Sequence, residues 1–538
     1  MLGHMMKLPL SIASLIRHAD RWHGDTQIVS RRVEGDIHRY DWHGAHLRSR
    51  RLAGALRELH VAAGDRVATL AWNTHRHLEI YFAVSGSGAV CHTVNPRLHP
   101  DQLAWIVNDA EDGYVFFDLT FLKIVESLAP RCPSVKGWVA MTDRAHMPQS
   151  ALDLICYEEL LHSHDGDFEW PSVSEDSASS LCYTSGTTGN PKGALYTHRS
   201  SVLHSFAVCM PDAFGFSACD VVLPVVPMFH VNAWGIPYAA PMAGCKLVLP
   251  GPHLDGASLH QLFEDEKVTI TAGVPTVWLA LLEHMAQAKA SLSSLRRVVI
   301  GGAAAPPSMI RAFGERHGVE VLHAWGMTEL SPLGTVNQPK AKHAALDEAT
   351  RDALREKQGR PPYGVDLRIV GDRGAPLPHD GATFGDLQAR GYWVVDRYFR
   401  GGNALDDGWF PTGDVSTIDP DGYMKITDRS KDVIKSGGEW ISSIDIEGLA
   451  MAHPAVAQAA VIGVKHPKWD ERPLLVVVLK SDAQVTAAEL LATFEGRIAK
   501  WWVPDDVLFV EALPLTATGK LSKLELRKQL AHYRLPAP

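Results

Sequence analysis

Several things are scarce in this 538-residue chain, and each scarcity removes a class of function. Positive charge is not in excess: 52 Lys and Arg stand against 61 Asp and Glu, a net charge of −9 with His neutral. That leaves no basic footprint for a nucleic-acid backbone or an anionic membrane surface, and neither is expected as a partner. No apolar run approaches the roughly 20 residues that a membrane span needs. Cysteine is sparse and unpatterned. The seven residues (Cys91, Cys132, Cys156, Cys182, Cys209, Cys219 and Cys245) are odd in number, lack C-x-x-C spacing, and read as reduced core thiols in a cytosolic protein. The 27 histidines are scattered without an H-E-x-x-H pattern, so a zinc site is not expected. The first 16 residues carry an apolar patch, but Arg17, His18, Asp20 and Arg21 follow without a small-residue cleavage site. Residues 10–22 therefore read as an amphipathic surface helix. Internal repeats and low-complexity segments are also missing.

What is present is a chain with 46% apolar residues, long enough for a large multilobed domain plus a small one. Its most informative stretch, residues 183–194, reads Tyr-Thr-Ser-Gly-Thr-Thr-Gly-Asn-Pro-Lys-Gly-Ala. Glycines let successive N–H groups point at one anion, and the hydroxyls of Thr184, Ser185, Thr187 and Thr188 add donors, so the stretch is suited to phosphate. A Walker loop is excluded, because Pro191 precedes Lys192 and Gly193 follows it. Taken alone, a Ser/Thr/Gly run reads first as a flexible loop.

The surrounding patterns predict a strand at 179–183 and a helix at 197–209. From about 200 to 370, β-rich runs at 221–226, 246–249, 268–271, 297–300 and 320–322 alternate with helical patterns, as in parallel sheets covered by helices. In such sheets ligands gather at the carboxyl ends of strands, where Gly301-Gly302-Ala303-Ala304 follows Ile300. After a strand at 422–427, the charged Asp428-Arg429-Ser430-Lys431-Asp432-Val433 reads as a hinge. Beyond it, a helix at 442–452, strands at 455–464 and 474–480, a helix at 486–500, a strand at 507–510 and a terminal helix suffice for a small α+β domain. The expected fold is an α/β large N-terminal domain (1–430; parallel sheets with helices plus a small β-barrel-like subdomain) followed by a small α+β C-terminal domain (431–538).

The order of hydroxyls and glycines in 183–194 resembles the phosphate-binding loop of the adenylate-forming superfamily, which includes acyl-CoA synthetases, beetle luciferases and peptide-synthetase adenylation domains. Further motifs of that superfamily follow in order along essentially the whole chain. The resemblance implies ATP, Mg²⁺ and coenzyme A as cofactors, with Thr184, Ser185, Gly186, Thr187, Thr188, Gly189 and Lys192 around the phosphates. It implies that Gly302, Ala303, Ala304, Trp325, Gly326 and Met327 belong to the nucleotide-binding residues, with Trp325 on the adenine. Trp325 would stack where most relatives carry tyrosine, keeping the face and losing the hydroxyl. Thr328 would touch the α-phosphate, and Glu329, with Thr184, would hold Mg²⁺, a hard cation suited to bridging carboxylate and phosphate. Asp414, with Arg429, would hold the ribose. Lys520, in Leu513-Pro514-Leu515-Thr516-Ala517-Thr518-Gly519-Lys520, would be the adenylation lysine and Lys431 the hinge. Lys435, Gly437, Gly438, Glu439 and Trp440 would face the pantetheine arm, the glycines removing side chains where it passes.

The run Pro224-Val225-Val226-Pro227-Met228-Phe229-His230-Val231-Asn232-Ala233-Trp234-Gly235 carries the substrate clue. By the resemblance, His230 lies beside the substrate carboxylate, and Val231, Trp234 and Gly301 line or gate the acyl tunnel of the bacterial medium- and long-chain branch. A lone His or Trp in an apolar run is otherwise an ordinary core residue. The implied reaction is ATP-dependent conversion of a carboxylic acid to acyl-AMP and then to acyl-CoA, with medium-chain acids first, 3-methylmercaptopropionate second and aryl acids third. Carrier-protein loading and a luciferase-like oxygenase are the rivals from other classes. Related fatty-acid ligases are homodimers, and the sequence leaves the oligomeric state open.

Overall fold

The structure is a computed structural model that describes the chain except Leu2 and residues 185–189, 372–373, 437–438, 482, 517–520 and 537–538. Among the described residues the strands form four sheets. The first runs Leu154–Cys156, Gly137–Ala140, Tyr114–Phe117, Arg66–Leu70, Val90–Thr93, Ala178–Thr184 and Lys192–Thr197, parallel except for the last pair. The second has Val221–Pro224, Lys246–Leu249, Ile270–Gly273, Arg297–Ile300 and Glu320–Gly326 in parallel. Gln27–Arg31 and the antiparallel Ile37–Asp41 lie at one end, and the antiparallel Leu333–Val336 lies at the other. Parallel strands need helical crossovers that cover both faces, which is why these segments read as continuous apolar runs. The alternation of strands and helices read from the sequence matches this arrangement. Arg297–Ile300 coincides with its expected bounds, and Glu320–Gly326 is longer at its carboxyl end.

The small β subdomain is a four-stranded antiparallel meander of Val365–Val370, Gly385–Gly391, Phe410–Ile418 and Met424–Arg429. The carboxyl-terminal part follows the α+β pattern. Val456–His466 and Asp470–Leu479 form its long hairpin, flanked by Ile434–Ser436, Glu439–Ile441 and Asp506–Phe509.

Two elements differ from their sequence reading. The helix Ile12–His23 is amphipathic, as read, but starts two residues later: Ile12, Leu15, Ile16 and Ala19 form a buried stripe in the cluster that holds Trp42 and Tyr238, while Arg17, His18, Arg21 and Trp22 are exposed. Burying such a stripe stabilises the fold by about 1.5–3 kcal/mol for each large side chain. The helix expected over 486–500 stops at Ala492, after a capping box between Thr486 and Glu489. Beyond Ala492 the chain continues in turns closed by bonds three residues apart, such as Thr493 N–H to the Leu490 carbonyl at 3.1 Å, with Phe494 buried in the core and Gly496 at φ +71°.

The junction with the carboxyl-terminal part is densely bonded. Ser442 Oγ donates to the Thr427 carbonyl at 2.9 Å, and the Ser443 backbone N–H donates to Asp428 Oδ2 at 3.1 Å. Lys425 pairs with Asp445 at 2.7 Å. Lys523, at the start of the helix Lys523–Gln529, has its ammonium 2.8 Å from Glu447 and 4.0 Å from Asp428, and it also meets the Ser443 hydroxyl. Arg527 pairs with Asp432. Burial works against the Lys523 ammonium, but the charges of Glu447 and Asp428 prevail and its pKa is raised.

Candidate active site

The stretch 183–194 is framed by an antiparallel strand pair. Tyr183 and Thr184 end the outgoing strand, and Lys192 opens the return strand directly opposite Thr184. Ser185, Gly186, Thr187, Thr188 and Gly189 at its tip lie outside the described residues, as do Gly437, Gly438 and Lys520. Glu439 and Trp440 belong to the short strand Glu439–Ile441, and their side chains are outside the description. Lys435 is on the neighbouring strand Ile434–Ser436, where its N–H donates to Glu471 at 3.2 Å. Lys431 is exposed in the turn after Arg429.

Three groups of expected residues come together around that hairpin. In the first, Trp325 is buried, and its indole N–H donates to Asp414 Oδ2 at 2.9 Å. One edge of the ring is fixed by Gly334, where an added Cβ would lie 2.2 Å from the indole. Arg429 stands across the strand pair from Asp414, with its Nε 3.8 Å from Oδ1. The indole N–H thus ties the Trp325 ring to the Asp414 carboxylate. Gly326 is required for packing, since a Cβ there would sit 2.1 Å from the Pro332 carbonyl.

In the second group, Glu329 is 6% exposed and its Oε1 accepts the Tyr398 hydroxyl at 2.8 Å. Burial lifts its pKa above the ordinary carboxyl value, against the opposing pull of Tyr398, Arg429 and Lys192. The Lys192 ammonium lies 4.9 Å from the centre of the Tyr398 ring. The Thr328 carbonyl accepts the buried Tyr196 hydroxyl at 2.5 Å, which ties this segment to the return strand of the hairpin. A buried carboxylate whose charge is disfavoured is a fitting first ligand for a hard divalent cation, which would relieve that penalty.

The third group follows the strand Val221–Pro224. Asn73 pins the connection, donating to the Pro224 and Val226 carbonyls at 2.9 Å and accepting the Met228 N–H at 2.7 Å. His230 stands at the start of a left-handed turn in which Val231, Asn232, Ala233 and Trp234 have φ of +48°, +50°, +47° and +56°. Such backbone costs roughly 1–2 kcal/mol per residue for L-amino acids, and a β-branched residue such as Val231 resists it most. The turn brings the Trp234 ring to 3.1 Å from where a Gly301 Cβ would stand. Behind Gly235 sits His204, whose pKa burial lowers to about 3, so that its neutral ring accepts the Leu333 N–H at 3.3 Å. Gly302 follows Gly301 with φ +79°, and Ala303 and Ala304 continue the loop.

The sequence reading missed Tyr398, Tyr196 and Asn73, which belong to no motif. They are found only by their contacts to motif residues. Asn232 lay in view as the one amide in an apolar run and carried no assigned role.

With this geometry in hand, comparison with known proteins gives a definite outcome. Residues 15–399 match the AMP-binding enzyme family, and residues 445–520 match the AMP-binding enzyme C-terminal domain. The chain belongs to the AMP-binding enzyme family. Among curated relatives of this AMP-binding enzyme, a 3-methylmercaptopropionyl-CoA ligase from Ruegeria lacuscaerulensis is 57% identical, covering 98% of this chain and 99% of the relative. A medium-chain-fatty-acid–CoA ligase from Ectopseudomonas oleovorans is 53% identical, covering 98% and 97%. Among solved structures, ATP-bound MatB from Rhodopseudomonas palustris superposes with a TM-score of 0.80 at 25% identity, over 96% of this chain and 99% of that one. The AMP-binding enzyme described here is an acyl-CoA synthetase, an acid–thiol ligase working with ATP, Mg²⁺ and coenzyme A. No helix among the described residues is long and apolar enough to cross a membrane.

Proposed function

We propose that the preferred acid of this synthetase is short, of the 3-methylmercaptopropionate class, and that straight medium-chain acids are accepted with the Trp234 ring displaced. The observation that carries this reading is the seat of Trp234 against Gly301, which occupies the space at the carboxyl end of the strand Arg297–Ile300. A thioether acid with four heavy atoms beyond its carboxyl carbon would not need to pass that ring. Each further buried CH₂ adds about 0.8 kcal/mol of attraction, so moderate displacement of the ring is offset as the chain lengthens. The relatives named for 3-methylmercaptopropionate and for medium-chain acids support both parts of the reading.

In this reading the acid's carboxylate oxygen attacks the α-phosphorus of ATP and pyrophosphate leaves. The coenzyme A thiolate then attacks the acyl carbon and AMP leaves. The phosphate hairpin from Thr184 to Lys192 holds the triphosphate, Trp325 stacks on adenine, and Asp414 with Arg429 holds the ribose. His230 sits beside the substrate carboxylate. Glu329 and Thr184 would hold Mg²⁺, which when bound neutralises phosphate charge. Lys520 supports the charge that builds between carboxylate and α-phosphate; one well-aimed donor there lowers a barrier by about 3–4 kcal/mol. The carboxyl-terminal part then turns about Lys431 so that the 435–440 segment faces the thioester step.

The test is CoA- and ATP-dependent AMP release across straight-chain acids from acetate to palmitate, with 3-methylmercaptopropionate, cinnamate and benzoate. A kcat/KM maximum at the thioether acid or its straight-chain length equivalent is expected. A maximum at octanoate or longer would overturn the preference for a short acid, and pyrophosphate release without CoA dependence would favour carrier loading.

A further inference from the structure

We infer that Asn232 is a positioning residue for the acyl site. Its side-chain amide holds residues 231–234 in their left-handed turn, and so fixes where His230 and Trp234 stand relative to the phosphate hairpin. The inference rests on the assignment of this segment to the acyl pocket.

Four consecutive residues with side chains hold positive φ here, and Gly235 continues the turn at +74°. Only asparagine among the four adopts this conformation with ease, because its short amide bonds locally in place of the backbone. A turn of this kind persists only where its surroundings over-determine it. Asn232 supplies that constraint. It is 3% exposed, and its Nδ2 donates to Ser180 Oγ at 3.0 Å. Its Oδ1 accepts from the Thr93 hydroxyl and the Cys182 thiol, each at 3.4 Å, and the Tyr81 hydroxyl oxygen lies 3.3 Å away. Tyr81 donates its hydroxyl proton to the Met228 carbonyl at 2.5 Å, bracing the segment before the turn. The backbone closes the loop through the Ala233 N–H, which donates to the Pro227 and His230 carbonyls at 3.2 Å.

The partners' origins give the arrangement its meaning. Ser180 and Cys182 belong to the strand Ala178–Thr184, which runs straight into the phosphate hairpin, and Thr93 ends the strand beside it. One amide thus references the acyl side of the site to the strand that carries the nucleotide loop. Asn232 bonds that strand through Ser180 and Cys182, and so supplies a register between the two halves.

The experiment compares Asn232→Ala, Asn232→Gly and Asn232→Asp with the wild-type enzyme on the same acid panel, reading KM for acid, KM for ATP and kcat separately. Asn232→Ala loses both the amide and the ease of positive φ. It should raise KM for short acids by about tenfold and flatten the chain-length profile, with KM for ATP within about twofold of wild type. Asn232→Gly lacks the amide but adopts the turn freely, and should recover a large part of the acid KM. Asn232→Asp keeps the acceptor and loses the donor to Ser180, and should fall between them. Should Asn232→Ala fail to fold, Ser180→Ala and Tyr81→Phe each remove one partner and should give the same acid-selective pattern at about two- to fivefold. Wild-type acid KM and profile in these variants would overturn the inference, and so would equal rises in the KM of acid and ATP. Wild-type turnover of the panel decides the acyl-CoA synthetase reading separately.

Discussion

Replacing Lys523 by methionine should destabilise the carboxyl-terminal part where it meets the strand Met424–Arg429. Lys523 is 10% exposed in its side chain and is the cation between Glu447 and Asp428, which are 11% and 2% exposed. Methionine matches its length, so packing is largely kept while the charge is lost. What remains is two buried carboxylates, one held by the Val461 N–H at 2.7 Å and the other by Ser443. Breaking a buried ion pair from one side costs about 3–5 kcal/mol. For a unit of this size that corresponds to a fall of about 15 °C in its unfolding temperature. The pH dependence follows from the signs. In the wild type, Lys523 has a pKa raised above 10.5, so its contribution is complete below that value and is lost at higher pH. Glu447 also has a raised pKa, from burial, with Lys523 opposing; without Lys523 the rise grows. A raised carboxyl stabilises the native state below its unfolded value of 4.5 and loses that contribution as pH climbs through the folded value. Lys523→Met should therefore be weakest at neutral and alkaline pH and recover on acidification, and Lys523→Met with Glu447→Gln should recover at neutral pH. Hydrogen exchange of peptides covering Val456–His466, with calorimetry at several pH values, reads both effects. A variant within about 1 kcal/mol of wild type at neutral pH, with no gain on acidification, would refute the reasoning.

Trp325→Phe keeps an aromatic face but removes the donor to Asp414; a hydrogen bond to a charged group contributes about 1.5–3 kcal/mol, so KM for ATP should rise about tenfold or more while KM for the acid holds. Steady-state kinetics with each substrate varied in turn would check it. Tyr398→Phe removes the hydroxyl held by Glu329 and should raise the Mg²⁺ concentration needed for half-maximal pyrophosphate release by about tenfold. Gly301→Ala places a methyl 3.1 Å from Trp234 and 3.0 Å from the Ala324 carbonyl, so the indole must shift. The chain-length profile should change, with thermal stability lowered by about 1–3 kcal/mol, as scanning calorimetry would show.

Much of the fold was legible because its strands are buried on both faces and flanked by turns. Lys246–Leu249 and Arg297–Ile300 are short apolar runs whose bounds are set by the glycines and charges beside them. The helix Ile12–His23 was recognised as amphipathic, yet periodicity gives a stripe without saying what covers it, and here Trp42 and Tyr238 do. The helix after Thr486 is shortened because the chain tightens into turns with bonds three residues apart beyond Ala492, which composition does not specify. The site divides in the same way. Trp325, Glu329 and Asp414 stand in motifs because their neighbours in sequence share their task. Tyr398 reaches Glu329 across 69 positions, and Asn232 reaches Ser180 across 52. Such partners have no local pattern to betray them, since the contact exists only after the sheets assemble.

The hairpin of Ala178–Thr184 and Lys192–Thr197 also bears on how such enzymes diversify. Its outgoing strand bonds Asn232 on the acyl side, and its return strand bonds the Thr328 segment through Tyr196. Residues at the far margin of the acyl strap, such as Trp234 and Gly301, touch neither bond. On the proposed assignment, exchanging those two positions should change the acid taken and leave the KM for ATP unchanged. A change at Ser180 or Cys182 is inherited by both halves at once. The two halves of the proposed site are thus tied together through one pair of strands.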